Sequence, residues 1–254
     1  MMFQDVRAVY FDLDDTLCGY WDAAKAALRE TFELHPIPGY TTDEMTLHWA
    51  AAFRVFGADL KASGWYEQYC RTGEPTRNEQ MRLTLERVGI ADATLTKALG
   101  DTYARIRDER LTLFPDALEV LDVLREKGYP MGLITNGPAD IQRQEAQTLG
   151  IESYFNPILI EGEMGFGKPI PEVFARALAA HSLEPHQTLM VGNSYKHDIL
   201  PAIEAGWRTA WIRKPSDIPP SATGDAKPEE LPAGSPAPDV EIRDLKEILP
   251  LLGL

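Results

Sequence analysis

The sequence is poor in cysteine, in basic residues relative to acidic ones, and in long apolar runs. Its 254 residues include only two cysteines, Cys18 and Cys70, which excludes a disulfide framework and favours a reducing compartment. A formal net charge of -14 excludes nucleic acid and anionic membrane as expected partners. The N-terminus reaches charged residues too soon for a signal peptide, and no apolar run is long enough to span a bilayer. We therefore expect a cytoplasmic protein.

Short apolar or β-branched runs alternate with amphipathic helical stretches at the start of the chain and throughout its second half. Strands are predicted at residues 6–11, 131–135, 158–160, 188–191 and 209–212, and helices at residues 117–127, 139–149, 171–181 and 198–205. Strands that alternate with helices at this spacing are typical of βαβ units. The sequence therefore predicts an α/β fold, a doubly wound parallel sheet with helices on both faces.

A long helical insertion interrupts this rhythm directly after the first strand. Helical patterns recur from about residue 20 to residue 110 without a convincing strand, which predicts a second, smaller domain. We assign residues 1–17 and 112–254 to the α/β core and residues 18–111 to the helical domain. Residues 215–239 are rich in proline and indicate a surface loop within the core. The aromatic residues of the insertion are expected mainly in its own core, namely Trp49, Phe53, Phe56, Trp65 and Tyr66.

Acids, amides, a hydroxyl and one lysine follow four of the predicted strands. They are Asp12, Asp14, Thr135, Asn136, Lys168, Asn193 and Asp198. In open α/β sheets, ligands bind beyond the carboxyl ends of the strands, where the connecting loops converge. These side chains are therefore expected to meet in one site.

The two acids after the first strand suit phosphoryl transfer. Asp12 and Asp14 are two residues apart on an extended chain, so both can face one site. One carboxylate can attack phosphorus, while the other protonates the leaving oxygen and later activates water. Magnesium prefers oxygen ligands of this kind, and a lysine such as Lys168 can stabilise developing negative charge.

Four segments, FDLDDTL, ITNG, GKPIPEVF and VGNSYKHDI, resemble in this order the four motifs of the haloacid dehalogenase (HAD) superfamily. The helical insertion resembles the cap domain of its subfamily I. The resemblance implies a Rossmann-like core and a nucleophilic role for Asp12. It further implies that Asp14 is the general acid/base and that Lys168 bridges the nucleophile and the phosphate.

The resemblance also implies which residues hold the phosphoryl group and the metal. Thr135 would bind the phosphoryl group, with Asn136 beside it. Magnesium would be held by Asp12, the backbone carbonyl of Asp14, Asn193 and Asp198. The family's last motif usually reads Gly-Asp-Ser, whereas this chain has asparagine at position 193, so one ligand would bring an amide oxygen without charge.

The function that these residues favour is a magnesium-dependent phosphatase that hydrolyses a small phosphorylated metabolite through an aspartyl-phosphate intermediate. The alternatives are a 2-haloacid dehalogenase, a phosphomutase, and a non-catalytic binding protein on the same fold. Tyr20 and Trp21 follow the first motif and either face the cleft between the domains or pack within the cap. The substrate and the oligomeric state are left open, although four cap arginines offer cations, namely Arg54, Arg71, Arg77 and Arg105.

Overall fold

The structure is a computed structural model that describes residues 2–62 and 64–254. Its strands are β1 (Ala8–Phe11), β2 (Met131–Thr135), β3 (Ile158–Ile160), β4 (Thr188–Gly192), β5 (Arg208–Ile212) and β6 (Val240–Ile242). Its helices in the first half are α1 (Tyr20–Leu34), α2 (Thr42–Asp59), α3 (Tyr66–Arg71), α4 (Gly73–Glu86) and α5 (Ala93–Arg110). Those of the second half are α6 (Ala117–Glu126), α7 (Ala139–Thr148), α8 (Glu161–Met164), α9 (Pro171–His181), α10 (Leu200–Glu204) and α11 (Ile248–Leu252).

The six strands form one parallel sheet in the order β3-β2-β1-β4-β5-β6. Strand β1 lies at the centre, where Val9 pairs with Met131 of β2 on one side and with Leu189 of β4 on the other. All four residues of β1 are buried, as expected of a strand that is covered on both faces. The predicted fold class is confirmed.

Side chains that alternate along β1 serve two different cores. Val9 and Phe11 pack with α6 and α11 on one face, while Ala8 and Tyr10 pack with α9 on the other. The Tyr10 hydroxyl donates to the carbonyl of Ala177 in α9 over 2.6 Å. A Cβ atom on Gly132 of β2 would lie 2.1 Å from the Tyr10 ring, so glycine is required beside this ring. The sheet is therefore anchored on both faces, and its strand ends are held in fixed positions.

Helices α1, α2, α4 and α5 share a separate apolar cluster that includes Leu28, Phe32, Met45 and Leu99. Of the aromatic residues expected in this core, Trp49 and Phe56 are buried, whereas Phe53, Trp65 and Tyr66 are half-buried. The sequence did not indicate α3 or the first turn of α4. That segment packs against the α/β core: the Tyr66 hydroxyl donates to Glu161 of α8 over 2.8 Å, and the backbone nitrogen of Gly73 donates to Asp140 of α7 over 3.0 Å. The division into core and cap at the residue bounds given above stays a prediction.

The connection between β5 and β6 contains the proline-rich segment and forms no helix or strand along its described residues. It is tied to the core by Glu229, whose carboxylate accepts hydrogen bonds from the backbone nitrogens of Tyr195 (2.9 Å) and Lys196 (3.2 Å). In the part of the chain that the structure describes, no helix combines the length and the apolarity needed to cross a membrane.

Candidate active site

Asp12 is the first residue beyond β1, at the carboxyl edge of the sheet. Its backbone nitrogen donates to the carbonyl of Val191 over 3.0 Å, which fixes the residue against β4. Its side chain lies in the interior, where Thr16 donates to Oδ2 over 3.0 Å and Lys168 donates to Oδ1 over 2.6 Å. Both carboxylate oxygens are therefore held in place by donors. Burial raises the pKa of Asp12 to about 6, against the opposing effect of Lys168.

Lys168 lies between two buried carboxylates. Its Nζ is 2.6 Å from Oδ1 of Asp12 and 2.6 Å from Oδ1 of Asp198, and the lysine is only 3% exposed. Burial opposes its charge, but the two carboxylates outweigh this effect and raise the pKa of Lys168 above its ordinary value. Asp12, Asp198 and Lys168 together carry one net negative charge. The described side chains in direct contact with them do not neutralise this charge.

The loop that carries Lys168 is fastened to the end of β2 by Asn136. The Asn136 side chain donates to the carbonyl of Lys168 over 2.7 Å and accepts from its backbone nitrogen over 2.8 Å. A Cβ atom on Gly167 would lie 2.4 Å from Oδ1 of Asn136, so this approach requires glycine. Asn136 therefore positions Lys168 in this structure, and its predicted contact with a phosphoryl group stays a prediction.

Asp198 lies in a short π-helical segment, Tyr195–Ile199, which directly follows the β4 loop. Its Oδ1 accepts from Lys168, and its Oδ2 accepts from the backbone nitrogen of Ser194 over 2.9 Å. A Cβ atom on Gly192 would lie 2.5 Å from the Asp198 side chain, so the sequence must have glycine at this strand end. Both oxygens are occupied by protein donors. The role of Asp198 as a metal ligand stays a prediction.

Asp14 and Thr135 are joined through Gln142, a residue that the sequence reasoning missed. The Gln142 side chain donates to Oδ2 of Asp14 over 3.1 Å and to Glu145 over 2.9 Å, and its Oε1 accepts from the Thr135 hydroxyl. Burial and the neighbouring Asp12 raise the pKa of Asp14 to about 7. Gln142 and Glu145 lie three residues apart on one face of α7, but this spacing is common among polar helix residues, so the sequence held no specific signal for them.

Asn193, a predicted magnesium ligand, is linked to Asp12 through Thr16. Oδ1 of Asn193 is 3.4 Å from the Thr16 hydroxyl, and the Asn193 carbonyl accepts from Nε1 of Trp211 over 2.6 Å. Asp217, from the proline-rich segment, contacts the Asn193 amide. Burial raises the pKa of Asp217 to about 6, an effect that the Asn193 amide opposes. Asp217 could not be identified from the sequence, because nothing in its local pattern places it near β4.

These residues fit a hard divalent cation. Carboxylate and amide oxygens lie near Asp12, and the negative charge of the carboxylates is larger in magnitude than the positive charge of Lys168. Magnesium usually takes one or two protein carboxylates and keeps several waters, so it needs no dense cage of acids. Among the described residues, no group of three or more histidine, cysteine or acidic side chains is arranged around one point, so the magnesium site stays a prediction.

A cavity of about 220 Å³ opens beside Asp14 and extends between the helical region and the sheet edge. Tyr20 and Trp21 line it, which agrees with the predicted placement in which they face the cleft. The remaining lining residues come from α2 to α5, from the β2–α7 loop and from α7, and they include Arg77 and Arg107. The cavity therefore connects the strand-end acids with the cap helices.

The comparisons with known proteins agree with this geometry. A model of haloacid dehalogenase-like hydrolases matches residues 6–206. The phosphoserine phosphatase of Thermus thermophilus is 28% identical over 259 residues, which cover 96% of this chain and 98% of that protein. The structure of the HAD-hydrolase YfnB from Bacillus subtilis, bound to magnesium, matches with a TM-score of 0.71 at 24% identity, over 98% of this chain and 99% of that chain.

A 2-haloacid dehalogenase from Pseudomonas syringae pv. Tomato DC3000 is also similar in structure. It matches with a TM-score of 0.62 at 27% identity, over 97% of this chain and 98% of that chain. The family model spans well over half of the sequence, and the sheet, its order and the strand-end residues are in keeping with it. The chain therefore belongs to the haloacid dehalogenase-like hydrolases.

Proposed function

We propose that this protein is a magnesium-dependent phosphatase that hydrolyses a small phosphorylated metabolite through an aspartyl-phosphate intermediate. The observation that carries the proposal is the arrangement around Asp12. A buried carboxylate is held on both oxygens by donors, one of them Lys168, and a second acid, Asp14, follows two residues later with a pKa raised to about 7. The phosphatase names of several relatives, phosphoserine phosphatase among them, support the same reading.

The proposed reaction has two displacements at phosphorus. A carboxylate oxygen of Asp12 attacks phosphorus, the bond to the ester oxygen breaks, and the departing oxygen takes the proton of Asp14. Asp14, now a carboxylate, then takes a proton from water as that water attacks the aspartyl phosphate. The bond between phosphorus and Asp12 breaks, which frees inorganic phosphate and restores both carboxyl groups. A pKa near neutrality suits Asp14 to both proton transfers.

The remaining predicted residues would hold the charged groups. Lys168 would stabilise the negative charge on the phosphoryl oxygens, and Thr135 and Asn136 would donate hydrogen bonds to them. Magnesium would be held by Asp12, the backbone carbonyl of Asp14, Asn193 and Asp198. When bound, it supplies charge neutralisation, which lets an anionic substrate approach an anionic nucleophile.

The second candidate is a 2-haloacid dehalogenase, favoured by the similar dehalogenase structure and by the uncharged Asn193. That reaction also begins with attack by an aspartate, but it displaces a halide and needs neither a proton donor nor a metal. The acid at position 14 therefore favours the phosphatase, because it has no evident role in halide displacement.

The test measures release of phosphate from p-nitrophenyl phosphate and of chloride from 2-chloropropionate, each with magnesium and with EDTA. We expect phosphate release that needs magnesium and stops in Asp12→Asn, because an amide cannot attack phosphorus. The exposed Asp5→Asn is the matched control and should keep full activity. Acid-quenched reactions should leave a phosphoryl adduct on the peptide that contains Asp12. Chloride release that persists in EDTA, without phosphate release, would show that the chain is a dehalogenase.

A further inference from the structure

Of the four cap arginines named above, Arg77 alone lines the cavity beside Asp14. Arg54, Arg71 and Arg105 are exposed, and the last two are paired with Glu67 and Glu109 on their own helices. Arg77 lies on α4, half-buried, and its Nε is fully buried without a hydrogen-bond partner. Among the residues that the structure describes, no carboxylate forms an ion pair with it. The structure thus separates Arg77 from the other three.

Its neighbour Arg107, on α5, has a different environment. Arg107 is 5% exposed, and its guanidinium donates to Oδ1 of Asp108 over 3.0 Å and 2.6 Å. Glu145 lies 3.7 Å away on the other side. The charge of Arg107 is therefore compensated within the protein. Burial and the like charge of Arg107 lower the pKa of Arg77, and Glu74 and Asp108 oppose this effect without forming an ion pair with Arg77.

A half-buried cation without a partner is costly unless an opposite charge joins it. Asp14 is the single acid among the described residues that line the cavity, and it is engaged with Gln142. Because Arg77 has no direct ion-pair partner in the part of the chain that the structure describes, its charge favours an anion in the cavity, although the chain as a whole has a net charge of -14. A guanidinium binds a carboxylate through two parallel hydrogen bonds. The single positive charge of Arg77 also matches the single negative charge of a carboxylate better than the higher charge of a second phosphate group.

We propose that Arg77 recognises a carboxylate on the substrate, so that the substrates of this enzyme are small phosphate monoesters with a carboxylate at the other end. This inference rests on the proposed phosphatase function. The phosphoryl group would lie at the strand ends, and the carboxylate would lie in the cavity against α4. The volume of about 220 Å³ is below the range of about 300–1,000 Å³ typical of drug-sized ligands, in keeping with a substrate of a few carbon atoms.

The test compares 3-phosphoglycerate with glycerol 3-phosphate, which has a hydroxymethyl group in place of the carboxylate. We expect wild-type kcat/KM to be at least about tenfold higher for 3-phosphoglycerate, the scale of one charge-assisted contact. Arg77→Gln should remove this preference, because kcat/KM for 3-phosphoglycerate should fall by about tenfold more than kcat/KM for glycerol 3-phosphate. Arg77→Lys should restore part of it, because it keeps the charge without the planar fork. The exposed Arg71→Gln should change neither value.

A second readout separates recognition from a structural role. Removal of an unpaired cation should leave the thermal unfolding midpoint of ligand-free Arg77→Gln equal to or above that of wild type. A lowered midpoint, an equal loss for both substrates, or no wild-type preference would each overturn the proposal. Hydrolysis of p-nitrophenyl phosphate, which has no carboxylate, reports on the phosphatase function separately. If that hydrolysis fails, binding can still be tested. The shifts of the thermal unfolding midpoint caused by 3-phosphoglycerate and by glycerol 3-phosphate then show whether Arg77 binds the carboxylate.

Discussion

Lys168 and Asp198 form a salt bridge of 2.6 Å in which both side chains are almost completely removed from solvent. The lysine follows β3 and α8, and the acid follows β4, so the bridge joins two loops that meet only because their strands belong to the same sheet. Asp12 completes the group from β1. The orientation of the proposed nucleophile therefore depends on an ion network that spans three strand ends.

Removal of the lysine should destabilise the protein strongly. Lys168→Met leaves Asp12 and Asp198 buried without their common cation, and loss of one partner of a buried pair typically costs about 3–5 kcal/mol. Urea unfolding monitored by fluorescence measures the change in the free energy of unfolding. Lys246→Met is the matched control, since Lys246 contacts Glu119 at 2.6 Å on the surface and should be dispensable. Equal effects of the two substitutions would mean that the buried bridge adds nothing specific to stability.

The role of Asp14 as a proton donor should depend on the leaving group. Asp14→Asn cannot protonate the departing oxygen, so turnover of an alkyl phosphate should fall by about a hundredfold or more. An aryl phosphate such as p-nitrophenyl phosphate needs less protonation, and its first step should be affected much less. Pre-steady-state bursts of p-nitrophenol would reveal this difference, because they isolate the first step from hydrolysis of the intermediate. Equal loss of the first step for both ester types would exclude Asp14 as the acid.

Gln142 should act as a positioning residue for Asp14 and Thr135. Gln142→Met keeps the volume but removes hydrogen bonds to both, which should lower kcat by about tenfold and stability by about 1–3 kcal/mol. The loss of kcat should be larger for alkyl than for aryl phosphates, which a purely structural defect would not produce. The exposed Gln147→Met on the same helix is the control and should behave as wild type. An equal loss for both ester types would contradict the positioning role.

Much of the fold was predictable because the pattern is local. The largely apolar runs of β1, β2 and β4 and the intervening amphipathic helices indicate a parallel sheet without any knowledge of contacts. The strand ends then place Asp12, Lys168 and Asp198 at one edge, and the structure brings these three into direct contact. Sequence reasoning succeeded here because the topology of an α/β sheet determines which loops converge.

The residues that were missed depend on tertiary contacts. Gln142 resembles any polar residue of a helix, and only packing against the β1 loop turns it towards Asp14. Asp217 lies in a proline-rich segment without periodicity, and its approach to Asn193 depends on the path of a long loop. The four cap arginines could not be ranked from the sequence, because burial of Arg77 and exposure of the other three follow from helix packing. Helix α3 is only six residues long, too short for a recognisable helical pattern, and it contacts α7 and α8 of the core.

Position 193 allows a direct test of the predicted metal site. Asn193→Asp adds a carboxylate next to Asp217 and close to Asp12, and divalent affinity rises with the number of charged oxygen ligands. Magnesium binding measured by calorimetry without substrate should tighten by about tenfold, or roughly 1.4 kcal/mol. Asp217→Asn should weaken it.

The metal-free Asn193→Asp protein should unfold at a lower temperature than wild type, because the added charge repels its neighbours, and magnesium should restore the unfolding midpoint. Gln147→Glu adds the same charge on an exposed helix face and is the control. An unchanged dissociation constant in Asn193→Asp would show that this side chain does not touch the metal, and the ion would then depend on Asp12 and Asp198 alone among the predicted side-chain ligands.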